Sequence, residues 1–221
     1  MCGRLVLTST YREKIKAIFA GVDGDEWLPP RYNVTPAQRI PALFDSAPEK
    51  LAWPTWGFPP TQPKRPPLIN ARSETVHQLP TFRESFRARR CIIFADGFYE
   101  WKRAGQPRPQ PYFFQLVDGA AFALAGLWQQ DESGTSAVVL TTEANTLMQP
   151  IHDRLPVIFT PDAAHLWLNR ETSMDTLRAL LQPFPSARMS CHPVSDRVNR
   201  SSAEGPELIK PVQIHEQIDL F

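Results

Sequence analysis

Short runs of aromatic and β-branched residues recur along this chain, and each is bounded by Gly, Pro, Asp or Asn. Runs of this kind are typical of strands that are joined by tight turns. They cover residues 38–45, 51–58, 91–96, 98–102, 111–117, 121–128, 136–142, 154–159 and 187–194, and a further short strand is predicted over 3–8. The pattern therefore predicts a core made of a mostly antiparallel sheet or a distorted β-barrel.

Helical patterns interrupt the strands at a few places. Near the amino terminus, apolar residues recur at the spacing of one helix face, namely Tyr11, Ile15, Ile18 and Phe19. Further helices are predicted over 81–89, over 161–169 with Thr160-Pro161 as the start signal, and over 173–182. We therefore predict an α+β fold, with a single domain over residues 1–211 and a tail over 212–221.

The composition is that of an ordinary folded protein without a large charged surface. Of the 221 residues, 42% are hydrophobic and 21% are charged, which excludes wholesale disorder. The 24 Lys and Arg residues against 23 Asp and Glu residues give a net charge of +1. Any surface that binds nucleic acid must therefore be local.

The cysteines and the apolar runs indicate a reduced compartment. Cys2, Cys91 and Cys191 are widely spaced and form no CxxC pair, so neither a disulfide framework nor a zinc knuckle is predicted. The chain does not begin with a basic region followed by an apolar stretch, and no apolar run reaches the roughly 18 residues that a membrane span needs. We expect a cytoplasmic protein with no metal, no cofactor and no membrane contact.

The sequence Met1-Cys2-Gly3-Arg4 carries the most informative chemistry. If Met1 is removed, Cys2 presents an amine and a thiol on adjacent carbons. Such an aminothiol condenses with an aldehyde in two steps, because the amine forms a Schiff base and the thiol then adds to it to close a five-membered thiazolidine. Taken alone this signal is weak, since a cysteine near the start of a chain is more often a small buried hydrophobe.

Three internal stretches hold polar residues that suit acid–base chemistry or anion binding. In PPLINARSET (66–75), Asn70 and Arg72 are two residues apart and point the same way in an extended chain. In FADGFYEW (94–101), a carboxylate lies among aromatics, where desolvation would raise its pKa toward that of a general acid or base. IHDR (151–154) places an imidazole beside a carboxylate and a cation. Each stretch in isolation also fits a purely structural role.

Together these stretches resemble the SOS-response-associated peptidase family in order and approximate spacing, over residues 2–212. Further matching segments are RYNV (31–34), Trp56-Gly57 and CHPVS (191–195). Several dispersed motifs in the right order are a far stronger signal than any one of them. Members of this family use an amino-terminal cysteine to form a covalent adduct with abasic sites in single-stranded DNA, and the resemblance implies the same activity here.

The resemblance implies a role for each matching catalytic residue. Cys2 is the crosslinking residue, and Asn70 orients its amino end. Glu100 moves protons, and His152 helps to open the deoxyribose ring. These residue types suit the chemistry, because an abasic sugar is mostly a closed hemiacetal that needs an acid near its ring oxygen and a base for the attacking ammonium. The resemblance also implies an autopeptidase activity on the bond before Cys2 and an abasic-site lyase activity.

A groove for single-stranded DNA is implied as well. Its expected lining residues are Arg4, Arg72 and Arg154, at the phosphates that flank the lesion, and Asn33. Many family members carry a tryptophan pair in the loop before the proline pair, where this chain has Gln62-Pro63. Because Lys64 and Arg65 follow at once, we expect this loop to hold the DNA backbone by charge.

Three other interpretations stay open at this point. Glutamine-hydrolysing amidotransferases also begin Met-Cys-Gly, and their thiol attacks an amide, but the Gly-rich and Asn-Gly segments of their oxyanion hole are missing here. A non-catalytic single-strand binder would not need Cys2. A metal site built from Cys2, Cys191 and His192 has no support from residue spacing.

The final residues 217–221 end on two large apolar side chains after a polar stretch. They resemble the short QL[S/D]LF peptide with which bacterial replication and repair proteins engage the sliding clamp. A flexible tail could insert Leu220 and Phe221 into an apolar groove while Gln217 makes orienting hydrogen bonds. The alternatives are that these side chains fold back onto the protein or that the match is a coincidence. We expect a monomer that is recruited by the clamp to replicating DNA in the nucleoid.

Overall fold

The computed structural model describes residues 2–24, 26–60, 65–103 and 109–213. The strands in these ranges are β1 (Leu5–Leu7), β2 (Arg31–Val34), β3 (Ala42–Phe44), β4 (Ala47–Ala52), β5 (Thr55–Trp56), β6 (Asn70–Arg72), β7 (Arg90–Ala95), β8 (Gly97–Lys102), β9 (Gln110–Leu116), β10 (Phe122–Asp131), β11 (Gly134–Glu143), β12 (Arg154–Pro156), β13 (Ile158–Phe159) and β14 (Met189–Pro193). The helices are α1 (Tyr11–Ile18), α2 (Pro80–Ala88), α3 (Pro161–Leu168) and α4 (Met174–Ala179). None of these helices is long and apolar enough to cross a membrane.

Two sheets build the protein. The smaller has the strand order β14-β9-β8-β1-β2 and is antiparallel throughout. The larger has the order β12-β11-β10-β7-β3-β4, with β13 paired to β10 and the short strands β5 and β6 running parallel to β11. Neither sheet closes into a barrel within the described strands. The predicted α+β class is confirmed, in the form of mostly antiparallel open sheets.

The smaller sheet is buried on both faces, and this decides where its polar residues point. Phe98 in β8 belongs to the main core, where it stacks on Phe114 with ring centroids 5.0 Å apart. The next residue, Tyr99, belongs to a second, smaller cluster on the opposite face. Because side chains alternate along a strand, Glu100 lies on the same face as Phe98. Its carboxyl group is therefore directed into the protein.

The predicted helices are confirmed, with one shorter than expected. In α1, Tyr11 and Ile15 are buried, as their spacing predicts. The hydroxyl of Thr160 accepts a hydrogen bond from the amide of Ala163 and caps α3, which begins with a proline. The pattern over 173–182 yields α4 only as far as Ala179, because the residue before a proline is disfavoured in helical conformation and Pro183 lies close behind.

The strand predictions hold for most apolar segments and fail where polar residues form strands. The predicted strand over 38–45 is found only over Ala42–Phe44, and the one over 51–58 is divided between the end of β4 and β5. The segment 154–159 divides into β12 and β13, because the chain leaves β11 after Pro156 and pairs with β10 from Ile158 onward. The strand β4 is polar and largely exposed, so it shows no alternating apolar pattern. The strand β2 is likewise too polar to be predicted from its pattern.

Arg90 is a buried arginine that joins the ends of two helices. Its side chain is 1% exposed and donates hydrogen bonds to backbone carbonyls only. Its Nη1 donates to the carbonyl of Arg87 at 2.8 Å in the last turn of α2, and its Nε and Nη2 donate to those of Trp167 and Asn169 at 2.8 and 3.1 Å at the end of α3. Carbonyls at a helix end have no partner within the helix, so Arg90 satisfies both ends at once.

We expect Arg90→Ala to lower the free energy of unfolding by about 3 kcal/mol or more, because several buried carbonyls lose a charged donor. Arg83→Ala, which removes an exposed arginine from α2, is the matched control and should change it by less than about 0.5 kcal/mol. Urea denaturation followed by circular dichroism measures both values. Equal stability of the two variants would contradict this role for Arg90.

Candidate active site

The start of β1 lies inside the protein and brings Cys2 to the site. β1 pairs antiparallel with β8, with Leu5 opposite Phe98. In this register, the residues before Leu5 run alongside Glu100, which follows Phe98 by two residues. Cys2 is 1% exposed and belongs to the main core. The cysteine is thus held by the interior of the sheet and not by a loose terminus.

Asn70 is positioned by the larger sheet and contacts Cys2 directly. β6 runs parallel to β11, with Asn70 opposite Val139. The side-chain Nδ2 of Asn70 donates a hydrogen bond to the backbone carbonyl of Cys2 at 2.8 Å. Its Oδ1 is buried, and no hydrogen-bond partner for it is found among the described residues. The amide therefore orients the cysteine backbone and keeps an acceptor available beside it.

Glu100 and His152 share an electrostatic environment with Cys2. Burial raises the pKa of the Glu100 carboxyl above its ordinary value, and the nearby His152 acts in the opposite direction. Burial is also the main reason that the pKa of the Cys2 thiol is raised, and the charge of Glu100 adds to this effect. The thiol is therefore held in its protonated form and needs a base before it can act as a nucleophile.

His152 makes two contacts through the same ring nitrogen. Its Nδ1 accepts a hydrogen bond from the backbone amide of Arg154 at 2.9 Å. One carboxylate oxygen of Asp153 also lies 2.9 Å from Nδ1. Asp153 is highly exposed, with 83% of its side-chain surface accessible, whereas the figure for His152 is 24%. The imidazole is thus fixed at the edge of the interior, next to solvent.

An open cleft of about 480 Å³ adjoins His152. Its lining residues are Arg72, Trp101, Arg103, Ile151, His152, Asp153 and Arg154. Arg72 and Arg103 are exposed, so this wall of the cleft presents positive charge to solvent. The cleft combines a cationic rim with the imidazole of His152, which suits a phosphate-bearing substrate.

Arg4 and Asn33 are committed to contacts inside the protein. The Nη1 of Arg4 donates to the Oδ1 of Asn33 at 2.6 Å and to the carbonyl of Val198 at 2.7 Å. Asn33 in turn donates to the carbonyls of Arg200 and Ala203, at 2.9 and 3.0 Å. The resemblance places Asn33 in the DNA groove, but its side chain is fully buried. Asn33 therefore holds the loop over residues 198–203 in place.

Arg154 is also engaged. Its two terminal nitrogens donate to the two carboxylate oxygens of Glu74 at 2.7 and 2.8 Å, and Nη2 donates to the carbonyl of Thr141 at 2.6 Å. Only 12% of its side-chain surface is exposed. This paired arrangement lowers the pKa of Glu74.

Of the cations predicted at the groove and described by the structure, Arg72 and Arg65 are the exposed ones. Outside the described residues lie Lys64 and the tail residues Gln217, Leu220 and Phe221.

Two residues of the cleft wall were not singled out from the sequence. Trp101 donates its indole N–H to the Oδ1 of Asn199 at 2.7 Å, and the guanidinium of Arg4 lies 5.9 Å from its ring centroid. Arg103 follows just after β8. The only signal in the sequence was their closeness to Glu100, and it was weak because side chains alternate along a strand, so that Trp101 lies on the opposite face of β8 from Glu100.

The alternative metal site is not supported by the positions of its residues. Cys191 and His192 lie in β14, at the edge of the smaller sheet, and the Nε2 of His192 is 2.7 Å from the carbonyl of Ile209. Across the described ranges, no group of three or more His, Cys, Asp or Glu residues is arranged to hold a metal ion.

The chain is similar in sequence and in fold to known proteins. A model of the family described as SOS response associated peptidase (SRAP) matches residues 1–201. Abasic site processing protein YoqW of Bacillus subtilis is 38% identical over 226 residues, covering 95% of this chain and 99% of the relative. Abasic site processing protein YedK of Escherichia coli is 31% identical over 223 residues, covering 96% and 100%. A crystal structure of a Bacteroides thetaiotaomicron protein shares the fold, with a TM-score of 0.81 at 22% identity over 96% of this chain and 100% of that chain.

We expect Glu100→Gln to raise the melting temperature at neutral pH. Because the pKa of Glu100 is raised in the folded protein, its contribution to stability is complete below the unfolded-state pKa and is lost as the pH rises through the folded-state value. Glutamine carries no charge and avoids this loss. The difference in melting temperature between Glu100→Gln and the wild type should therefore shrink toward about pH 4. Calorimetry across pH measures the difference. The exposed Glu143→Gln is the control, and a pH-independent difference for Glu100→Gln would contradict the assignment.

Proposed function

This chain belongs to the SOS response associated peptidase family, and on that premise we propose that it is an abasic-site sensor for single-stranded DNA. Removal of Met1 gives Cys2 a free amine, and Cys2 then forms a covalent thiazolidine with the aldehyde of the abasic sugar. Two relatives with this family's sequence pattern are named abasic site processing proteins. The observation that carries the proposal is the hydrogen bond from Asn70 to the backbone of Cys2.

The contact of Asn70 has a direct chemical use. Its Nδ2 fixes the Cys2 carbonyl, and its buried Oδ1 is an acceptor for an N–H of the Cys2 amine. Holding the amine in one orientation directs its lone pair to the carbonyl carbon of the sugar. Such preorganisation contributes to rate because the reacting atoms need not be ordered during the reaction.

The reaction begins with opening of the sugar. His152 donates a hydrogen bond to the ring oxygen as the C1′–O4′ bond breaks, and the proton of the C1′ hydroxyl passes through a water molecule to that oxygen, so that an aldehyde and a C4′ hydroxyl form. The amine of Cys2 adds to the aldehyde carbon and loses one water molecule to give a Schiff base. Glu100 accepts the proton that the ammonium releases and returns one to the departing hydroxyl.

Ring closure follows from the thiol. The Cys2 sulfur attacks the Schiff-base carbon, its proton passes through Glu100 to the nitrogen, and a five-membered ring forms. The net change is one aldehyde and one aminothiol converted into one thiazolidine and one water. The raised pKa of the thiol requires a base close to it, and the Glu100 carboxyl, whose pKa burial raises, is a stronger base than an ordinary carboxylate and suits this role.

Two further activities use the same groups. Hydrolysis of the bond between Met1 and Cys2 would expose the amine and would explain the peptidase name of the family. A Schiff base at the abasic sugar also acidifies the neighbouring C2′–H, so removal of that proton would break the DNA strand as a lyase does. In both reactions Glu100 is the proton acceptor.

The DNA is held by the exposed arginines at the cleft. Arg72 and Arg103 line it and Arg65 is exposed near the start of the loop that leads to β6. Their guanidinium groups would contact the phosphates on either side of the lesion. Arg4 acts from inside, because it supports the ring of Trp101 at the cleft wall. A narrow groove of this kind suits a protein whose net charge is only +1.

We expect the full-length protein to gain the mass of an oligonucleotide with one abasic site, in an adduct that survives boiling in SDS without added reductant. Closure to a ring is the reason, since a simple imine hydrolyses. Cys2→Ser should lose this adduct, whereas Cys191→Ser, which removes a thiol outside the site, should keep it. Intact-mass spectrometry and denaturing gels measure the products.

The same experiment separates the alternatives. An adduct formed by Cys2→Ser at the wild-type rate would mean that another residue is the nucleophile. Single-strand binding with no adduct at all would favour a non-catalytic binder. Release of ammonia from glutamine, lost in Cys2→Ser, would favour an amidotransferase.

Non-covalent binding should prefer single strands and weaken with salt, because each neutralised phosphate contributes about −0.7 to the slope of log affinity against log salt. We expect Arg72→Ala and Arg103→Ala each to reduce this slope by about one contact. Arg197→Ala, an exposed arginine outside the cleft lining, is the control. Fluorescence anisotropy with Cys2→Ser protein measures the DNA affinity at each salt concentration. A salt-independent affinity, or equal binding to intact duplex, would contradict the proposed DNA-binding groove.

A further inference from the structure

The ion pair between Glu74 and Arg154 links the segments that carry Asn70 and His152. Glu74 lies two residues beyond β6, Arg154 is the first residue of β12, and Thr141 lies in β11 between them. Arg154 donates to both carboxylate oxygens of Glu74 and to the carbonyl of Thr141. One guanidinium therefore ties three neighbouring strands together at the rim of the site.

This guanidinium has little capacity left for DNA. A carboxylate occupies both terminal nitrogens in the paired geometry that a phosphate would also use. The Arg154 side chain is mostly withdrawn from solvent. Arg154 therefore acts on the site through neighbouring protein groups.

The backbone of Arg154 acts on His152. Its amide donates to the Nδ1 of His152, and an amide N–H cannot give up its hydrogen under these conditions. With this amide as its partner, Nδ1 presents a lone pair, which places the proton of the neutral ring on Nε2. The carboxylate of Asp153, at the same distance, could accept only from a protonated Nδ1. The two contacts need opposite protonation states of Nδ1, so the tautomer depends on which of the two partners is held in place.

We propose that Glu74 is a positioning residue that anchors Arg154 so that its amide holds the imidazole proton of His152 on Nε2. This inference rests on the proposed function, in which His152 donates a hydrogen bond to the sugar ring oxygen. When the anchor is lost, the start of β12 shifts, Asp153 captures Nδ1–H, and Nε2 becomes an acceptor. The ring-opening step then lacks its donor, although DNA still binds.

The kinetic test compares Glu74→Ala with Glu143→Ala. Both remove one exposed carboxylate from the same rim, so both change the general attraction for DNA alike. The guanidinium of Arg154, however, is held by Glu74 and Thr141 and not by the Glu143 side chain. We expect Glu74→Ala to slow crosslinking at saturating abasic oligonucleotide by about tenfold. Its DNA affinity should match that of Glu143→Ala. Arg154→Lys, which keeps the charge but not the fork, should slow crosslinking similarly.

The second test needs no DNA and so stands apart from the proposed function. Imidazole nitrogen shifts in protein labelled with ¹⁵N-histidine report the tautomer of each ring, and His152→Ala identifies the signal among the five histidines. We expect the Nε2–H form of His152 in the wild type and in Glu143→Ala. Glu74→Ala should move the ring toward the Nδ1–H form.

Each possible outcome leads to a different conclusion about Glu74 or about the proposed function. A slower rate together with the tautomer shift supports the proposal. If Glu74→Ala tightens DNA binding more than Glu143→Ala does and leaves the rate unchanged, Glu74 is a competitor of phosphate for Arg154 and the proposal is wrong. An unchanged tautomer also overturns it. If the wild type forms no adduct, the proposed function fails, while the tautomer measurement still decides the role of Glu74.

Discussion

The place of β1 inside the smaller sheet governs the rest of the site. It lies between β8 and β2, and Leu5, Val6 and Leu7 are at most 2% exposed. Each such side chain contributes about 1.5–3 kcal/mol when it is fully buried. Cys2 cannot leave its position unless this strand is also withdrawn from the core. A cysteine near a chain end, where chains are usually frayed, is here buried like an interior residue.

The buried position of the catalytic candidates has a thermodynamic cost. Glu100 and Cys2 both lie in the interior, and burial raises the pKa of each. A carboxyl placed there is unfavourable for folding at neutral pH, but it is suited to exchanging protons with a neighbouring thiol or amine. The large apolar clusters on both faces of β8 offset this cost. The stability contributed by the apolar core thus allows Glu100 and Cys2 to be buried with raised pKa values.

The arginines of the site divide into two groups by their partners. Arg4 and Arg154 are hydrogen bonded to protein groups and organise Trp101 and His152. Arg72 and Arg103 are exposed at the cleft. Sequence motifs treat all of them alike, because a guanidinium that binds a phosphate and one that binds a carboxylate need the same residue type. Only the partners distinguish the two groups: Asn33 and Val198 beside Arg4, and Glu74 beside Arg154.

The sequence by itself determined the α+β class, the apolar strands, the helix starts and the family, because apolar periodicity, capping residues and ordered motifs are local properties of the chain. It also singled out Cys2, Asn70, Glu100 and His152 as residue types with a shared chemistry. The tertiary structure decided that a hydrogen bond joins Asn70 to Cys2 across 68 positions of sequence, and that Asn33 is buried. Those facts depend on which strands pair and in which register, and pairing between distant segments leaves no periodic signal in either one.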